Sequence, residues 1–168
     1  MVSSQVFEIV VKRHQGAIRR FLTSLTKGDT MLADDLAQET FIKAFYAWDS
    51  FAALSSPKTW LMRIAYNTFV DYTRSPSTSS ESIQSSICNI QSSNGASGSS
   101  FDIRNDVQQA MLQLSEPERL CVQLALIEDR SIRQIVTITG LNENTVKSHL
   151  KRGKDKLRTF LINNGYDR

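Results

Sequence analysis

The stretch SPSTSSESIQSSICNIQSSNGASGSS, Ser75 to Ser100, constrains the fold more than any other part of the chain. It holds 12 serines in 26 residues, one charge at Glu81, and no Lys or Arg. Such a segment cannot bury enough apolar surface to offset the entropy lost on ordering. It reads as a flexible tether. Ile83, Ile87 and Ile90 offer at most a weak sticky patch within it. A single continuous core is therefore excluded, and the 168 residues are expected to fold as two small modules, 1–75 and 105–168, joined by a flexible linker at 76–104.

Both modules read as all-α. In the first, Phe7, Val10, Ala17, Ile18, Phe21, Leu22 and Leu25 recur at helical spacing until Lys27-Gly28-Asp29 breaks the run. A second helix is expected to turn Leu32, Leu36, Phe41, Phe45 and Trp48 inward. Asp29 or Thr30 would cap it, with Asp34 and Asp35 near its positive end. A third begins at Pro57, buries Trp60, Leu61, Ile64, Ala65 and Thr68, and ends by Arg74–Pro76. In the second module Val107, Ala110, Met111 and Leu114 mark a short helix. Ser115-Glu116-Pro117-Glu118 is a capping box opening a helix that carries Leu120, Leu124 and Ile127. Ser131-Ile132-Arg133-Gln134 is another, followed by Ile132, Ile135 and Val136 facing the core. Gly140 stops that helix and Asn142 caps the next: helix, tight glycine turn, helix.

At about 100° per residue, Val146, Leu150, Gly153 and Leu157 fall on the buried side of the last helix, with His149 at its edge. Asn144, Ser148, Lys151 and Arg152 fall opposite. In a helix-turn-helix the outward N-terminal half enters the major groove, where Asn suits adenine, Arg and Lys suit guanine, and Ser is permissive. Lys147, Lys154, Lys156 and Arg158 flank this face, better placed for phosphates. Between Ser131 and Arg158 seven Lys or Arg oppose two acids, whereas the whole chain is only +3. Charge alone would describe a solvated helix equally well. The caps and the glycine turn favour DNA binding.

Other classes find little support. Cys88 and Cys121 lie far apart, and His14 and His149 are the only histidines, so neither a disulfide framework nor a metal centre is expected. No Gly-rich phosphate loop or nucleophile motif is present, and no catalytic residue, cofactor or small-molecule substrate is expected. No apolar run approaches the ~20 residues of a membrane span, and the start of the chain does not read as a signal peptide, so a cytoplasmic protein is expected.

Two further stretches carry a family resemblance. Met31–Phe51, MLADDLAQETFIKAFYAWDSF, resembles the core-polymerase-binding helix of the extracytoplasmic-function (ECF) branch of sigma-70-type sigma factors. Ser56–Arg74, SPKTWLMRIAYNTFVDYTR, resembles its promoter-melting, −10-element helix, and Leu114–Arg158 its −35-element helix-turn-helix. The resemblance covers almost the whole chain. It implies a three- to four-helix sigma region 2 bundle at 1–75 and a sigma region 4 helix-turn-helix at 105–168. It further implies that Asp35, Gln38, Glu39 and Ile42 form an i, i+3, i+4, i+7 stripe docking on the β′ clamp helices of core RNA polymerase, with region 4 meeting the β flap. Arg63, Tyr66, Asn67 and Arg74 would face the −10 element. Phe51 and the backbone of Ala52–Ser55, in the loop Ser50–Pro57, would hold a base flipped from the stack. Arg133, Asn144, Lys147, Ser148, Lys151 and Arg152 would read or grip the −35 element. Many relatives are held by an anti-sigma factor, a further implied partner.

Tyr66 stands where relatives often carry a basic residue, and Val136 where they carry a small one. Trp48 and Trp60 invite base stacking, but their positions favour core packing. The principal alternative is a stand-alone helix-turn-helix transcriptional regulator, which would need neither the acidic stripe nor the third-helix motif. A small helical enzyme is the remaining class.

Overall fold

The computed structural model describes residues 2–75 and 98–166. Most of the expected linker, 76–97, lies outside the described residues, as do Ile83, Ile87, Ile90 and Cys88. Among the described residues every regular element is helical: α1 (Val2–Leu25), α2 (Thr30–Ala47), α3 (Pro57–Arg74), α4 (Gly98–Leu112), α5 (Glu116–Val122), α6 (Ile132–Thr139) and α7 (Glu143–Asn163). A 3₁₀ turn, Trp48–Ser50, extends α2, and a π turn, Gln123–Ile127, extends α5. The helices cluster as two compact units, one built on α1–α3 and one on α4, α5, α7 and the greater part of α6, whose last three residues, Thr137–Thr139, group with the first. α4 opens at Gly98, ahead of position 105.

The first unit is a three-helix bundle. Asp29 caps α2, its carboxylate accepting from the Leu32 amide at 3.0 Å. Ser56 caps α3 by accepting from the Thr59 amide, with Pro57 just inside. α1 contributes Phe7, Ile18, Phe21, Leu22 and Leu25 to the core, and α3 contributes Leu61, Met62, Ala65 and Phe69. Each of the Phe, Leu, Ile and Met side chains among these stabilises by about 1.5–3 kcal/mol when fully buried.

α2 differs from expectation. Its buried face is Ala33, Leu36, Ala37, Thr40 and Ala44, while Phe45 is half-exposed and Phe41 and Trp48 are only partly covered. The small residues let α1 and α3 pack close to the α2 backbone, which pushes the bulky rings to the flank. There Phe7, Phe45, Trp48, Phe51 and Trp60 form a chain of ring contacts at centroid separations of 5.0–5.6 Å along the links Phe7–Phe45, Phe7–Trp48, Trp48–Phe51 and Phe51–Trp60.

The second unit follows the expected punctuation. The Glu118 carboxylate accepts from the Ser115 amide, and Ser131 and Gln134 cap each other reciprocally. Gly140 takes a left-handed φ of 72° and returns its N–H to the Val136 carbonyl; Asn142 then accepts from the Thr145 amide at 2.8 Å. Val146, Leu150 and Gly153 are buried along α7. Gly153 permits a close crossing: a Cβ there would meet Val122 Cγ2 on α5 at 2.6 Å. Of the three residues expected inward on α6, Ile135 is buried and Ile132 and Val136 are partly covered. Ile127 is half-exposed, because the π turn adds a residue to the helical repeat and closes with Glu128 N–H on the Gln123 carbonyl, which rotates the following side chains out of phase. At the C-terminus the Tyr166 hydroxyl donates to Asp106, tying the chain end to α4.

Candidate functional site

On α2 the side opposite the buried alanines carries Asp35, Gln38, Glu39 and Ile42, all exposed. Ile42 is 58% exposed, and Met31 and Tyr46 prolong the same side with apolar surface. Glu39 is engaged: its carboxylate lies 2.8 Å from Lys43 Nζ, which reaches Asp71 of α3 at 3.5 Å. The Glu39 hydrogen bond foremost holds the Lys43 ammonium above its ordinary range. The stripe is thus a mixed acidic and apolar surface with one internal cation, suited to a basic helical partner. The link through Lys43 to α3 was not visible in sequence. Only the Glu39–Lys43 pair, at i, i+4 spacing within α2, could be read from local sequence.

On α3 Arg63, Asn67 and Arg74 are exposed at i, i+4 and i+11, so they share a face, and Tyr66 is half-buried beside them. Phe51 sits at the head of the loop to α3. Its ring stacks on Trp48 at 5.4 Å with planes 16° apart and lies 5.0 Å from Trp60. Trp48 and Trp60 pack against each other at 5.9 Å. One face of Phe51 is therefore occupied within the protein. Beyond it Ala53 adopts φ 53°, and Leu54 is 94% exposed.

On the helix-turn-helix, Asn144, Lys147, Ser148, Lys151 and Arg152 are exposed on α7, and Arg133 is exposed on α6. Asn142 and Asn144 bracket the positive N-terminal end of α7, a favourable place for phosphate. Lys147 Nζ lies 2.6 Å from Glu143, and that ammonium holds the Glu143 carboxyl below the usual carboxylate range. His149 is half-buried, at the edge of the core face as expected.

Lys156 departs from the expectation that it grips phosphate. Its ammonium donates to Glu118 Oε2 at 2.7 Å, and the Glu118 side chain is only 4% exposed. That hydrogen bond, with the Ser115 amide, holds the Glu118 carboxyl down to about 2 against the opposing effect of burial. Lys156 is a strut between α5 and α7. Its partner lies 38 residues away, beyond the reach of any local pattern.

Among the described residues no cluster of three His, Cys, Asp or Glu could hold a metal, and no helix is long and apolar enough to cross a membrane. Cys121 is buried, which pushes its thiol up to about 11 and leaves it protonated at neutral pH.

Residues 10–78 match the Sigma-70 region 2 family, and residues 104–157 match Sigma-70, region 4. The ECF RNA polymerase sigma factor SigW of Bacillus subtilis is 31% identical over 145 residues, covering 80% of this chain and 78% of that protein. SigM of the same organism, also an ECF RNA polymerase sigma factor, is 29% identical, covering 93% and 94%. The sigma factor RpoE from Bartonella quintana, solved in complex with the anti-sigma factor NepR, superposes with a TM-score of 0.74 at 28% identity, covering 94% of this chain and 98% of that one. Both sigma-70 regions are present in order, and a relative above 30% identity spans most of the chain: the protein belongs to the ECF family of RNA polymerase sigma factors.

Proposed function

We propose that this sigma factor binds core RNA polymerase through the α2 stripe and holds promoter DNA at two places. The stripe of Asp35, Gln38, Glu39 and Ile42 docks on the β′ clamp helices, and the second unit meets the β flap. Arg63, Tyr66, Asn67 and Arg74 line the −10 element, with Phe51 at the loop that receives an extruded base. Arg133, Asn144, Lys147, Ser148, Lys151 and Arg152 engage the −35 element. Strand opening needs no catalytic side chain: the melted state is favoured because the protein binds it better than duplex. Nucleotide addition belongs to the polymerase, and the chain works in the cytoplasm without a cofactor. An anti-sigma factor, such as the one bound to the Bartonella relative, covers the polymerase-docking surface when the factor is silent.

The observation that carries this reading is the α2 stripe, four exposed side chains set opposite a face of buried alanines. A DNA-binding regulator acting alone has no use for it. Glu39→Lys tests it. Co-elution with core polymerase should fall about tenfold or more, since a like charge is placed against a basic surface, while binding to −35 duplex stays unchanged. Equal core binding by the variant would place the dock elsewhere.

A further inference from the structure

None of the roles assigned above uses His149, yet its ring carries an atom that the fold leaves unserved. The residue is half-buried on α7, and its Nδ1 is buried with no hydrogen-bond partner among the described residues. An orphaned buried polar atom lowers stability, and packing alone would select an apolar side chain at such a position. Nδ1 is the ring's one orphaned buried nitrogen, so Nε2 is the nitrogen left to meet a partner from outside. The ring also helps to line an open hollow on α7, together with Asn142, Asn144, Thr145, Ser148 and Arg152. The one acid in that lining, Glu143, is held by Lys147 at 2.6 Å. These facts place the imidazole hydrogen. On Nδ1 it would strand an N–H inside the protein, and orphaned buried donors are rarer than under-satisfied acceptors. On Nε2 it can be bonded from the hollow. The outward edge of His149 is then a donor.

We infer that His149 donates through Nε2 to a phosphate oxygen of promoter DNA, an assignment that rests on the −35 reading proposed above. Helix phase separates this role from base reading. At about 100° per residue His149 lies roughly 140° around α7 from Asn144 but only about 60° from Arg152. It therefore stands on the flank between the buried seam and the reading face, where a helix lying in the major groove meets the sugar-phosphate wall. Arg152, exposed and three residues on, offers further donors to the same flank. A phosphate oxygen only accepts, which suits a ring edge fixed as a donor. Contacts of this kind set the register of a helix on the duplex and carry no sequence information themselves. The unserved Nδ1 is thus the cost of holding Nε2 in one hydrogen-bonding state.

The test uses full-length protein with two labelled duplexes of equal length. One is the upstream promoter element mapped from transcript starts after overproduction, and the other is unrelated in sequence. His149→Gln, His149→Asn and His149→Leu are compared with the parent by fluorescence anisotropy at fixed salt, and urea unfolding checks that each is folded. The Gln amide nitrogen can stand near the place of Nε2, the Asn amide nitrogen near that of Nδ1, and Leu has no donor. His149→Gln should keep affinity within about twofold. His149→Asn and His149→Leu should each weaken it about three- to tenfold, the worth of one hydrogen bond, and by the same factor on both duplexes. Equal affinity for all four proteins would return His149 to packing and overturn the inference. Retention by His149→Asn with loss by His149→Gln would put the donor on Nδ1 and overturn it as well. Loss confined to the promoter duplex would make His149 a base reader and overturn the phosphate contact. A parent that bound both duplexes alike would fail the −35 reading first, a distinguishable result.

Discussion

Replacing Gly153 by alanine sets two effects of known size against each other. Gly153 lies within α7, where alanine is the better helix former by roughly 1 kcal/mol. The added Cβ, however, would stand 2.6 Å from Val122 Cγ2, against about 3.5–4.0 Å for a comfortable carbon contact. Val122 is 1% exposed and β-branched, so it has one favoured rotamer in a helix and no space to leave it. The Glu118 carbonyl at 3.5 Å limits relief by sliding α7. Overpacking of this kind costs about 1–3 kcal/mol, so Gly153→Ala should be destabilising by roughly 0–2 kcal/mol overall. The sign should reverse when the obstructing methyls are gone: in a Val122→Ala background the same substitution should stabilise by about 1 kcal/mol. The four proteins form a double-mutant cycle with a coupling of about 1–3 kcal/mol. Urea unfolding followed by far-UV ellipticity measures it, and hydrogen exchange of α7 amides assigns it to the second unit. A Gly153→Ala protein more stable by the full helix-propensity gain, with additive effects in the cycle, would refute the close crossing.

Three further outcomes follow from the second unit. The Glu118 carboxyl is depressed to about 2 in the folded chain, so its stabilisation is complete above the unfolded carboxylate range near 4.5 and is lost as pH falls toward 2. Lys156→Met should therefore move the midpoint of acid unfolding to higher pH. It should also cost about 1–2 kcal/mol at neutral pH, less than a fully buried pair because Lys156 is half in solvent. Gly140→Ala, at φ 72°, should cost about 1–2 kcal/mol in thermal unfolding without changing core-polymerase binding. Lys151→Ala and Arg152→Ala should each weaken −35 duplex binding by about 1–3 kcal/mol at fixed salt and leave core binding intact, measured by fluorescence anisotropy of labelled duplex.

Much of the architecture was readable because it is written in local chemistry. Ser131, Gln134, Gly140 and Asn142 each act within a few residues of themselves, so their spacing alone predicts α6, the turn and the start of α7. The face of α2 was misjudged because periodicity weights residues by size. Phe41, Phe45 and Trp48 look like a core stripe, yet Ala33, Ala37 and Ala44 are what close packing selects. The π turn escaped for a different reason: one extra residue in the repeat shifts Ile127 out of the core without altering composition. The Lys156–Glu118 and Lys43–Asp71 pairs join distant segments and leave no local trace. For the site, exposure of the α2 stripe and of the α7 readers follows from helix phase alone. The stacking of Phe51 on Trp48 depends on how a loop returns, which a linear pattern cannot encode.

The chain contains only two tryptophans, and both belong to the ring cluster at the head of the Leu54 loop. Indole emission therefore arises wholly from the first unit, and the helix-turn-helix contributes none. Contact of a DNA strand with the loop would alter light from Trp48 through its stack on Phe51, whereas occupation of α7 would leave that light unchanged. The unlabelled protein can thus time its two contacts with a promoter separately, by intrinsic emission for one and by labelled duplex for the other.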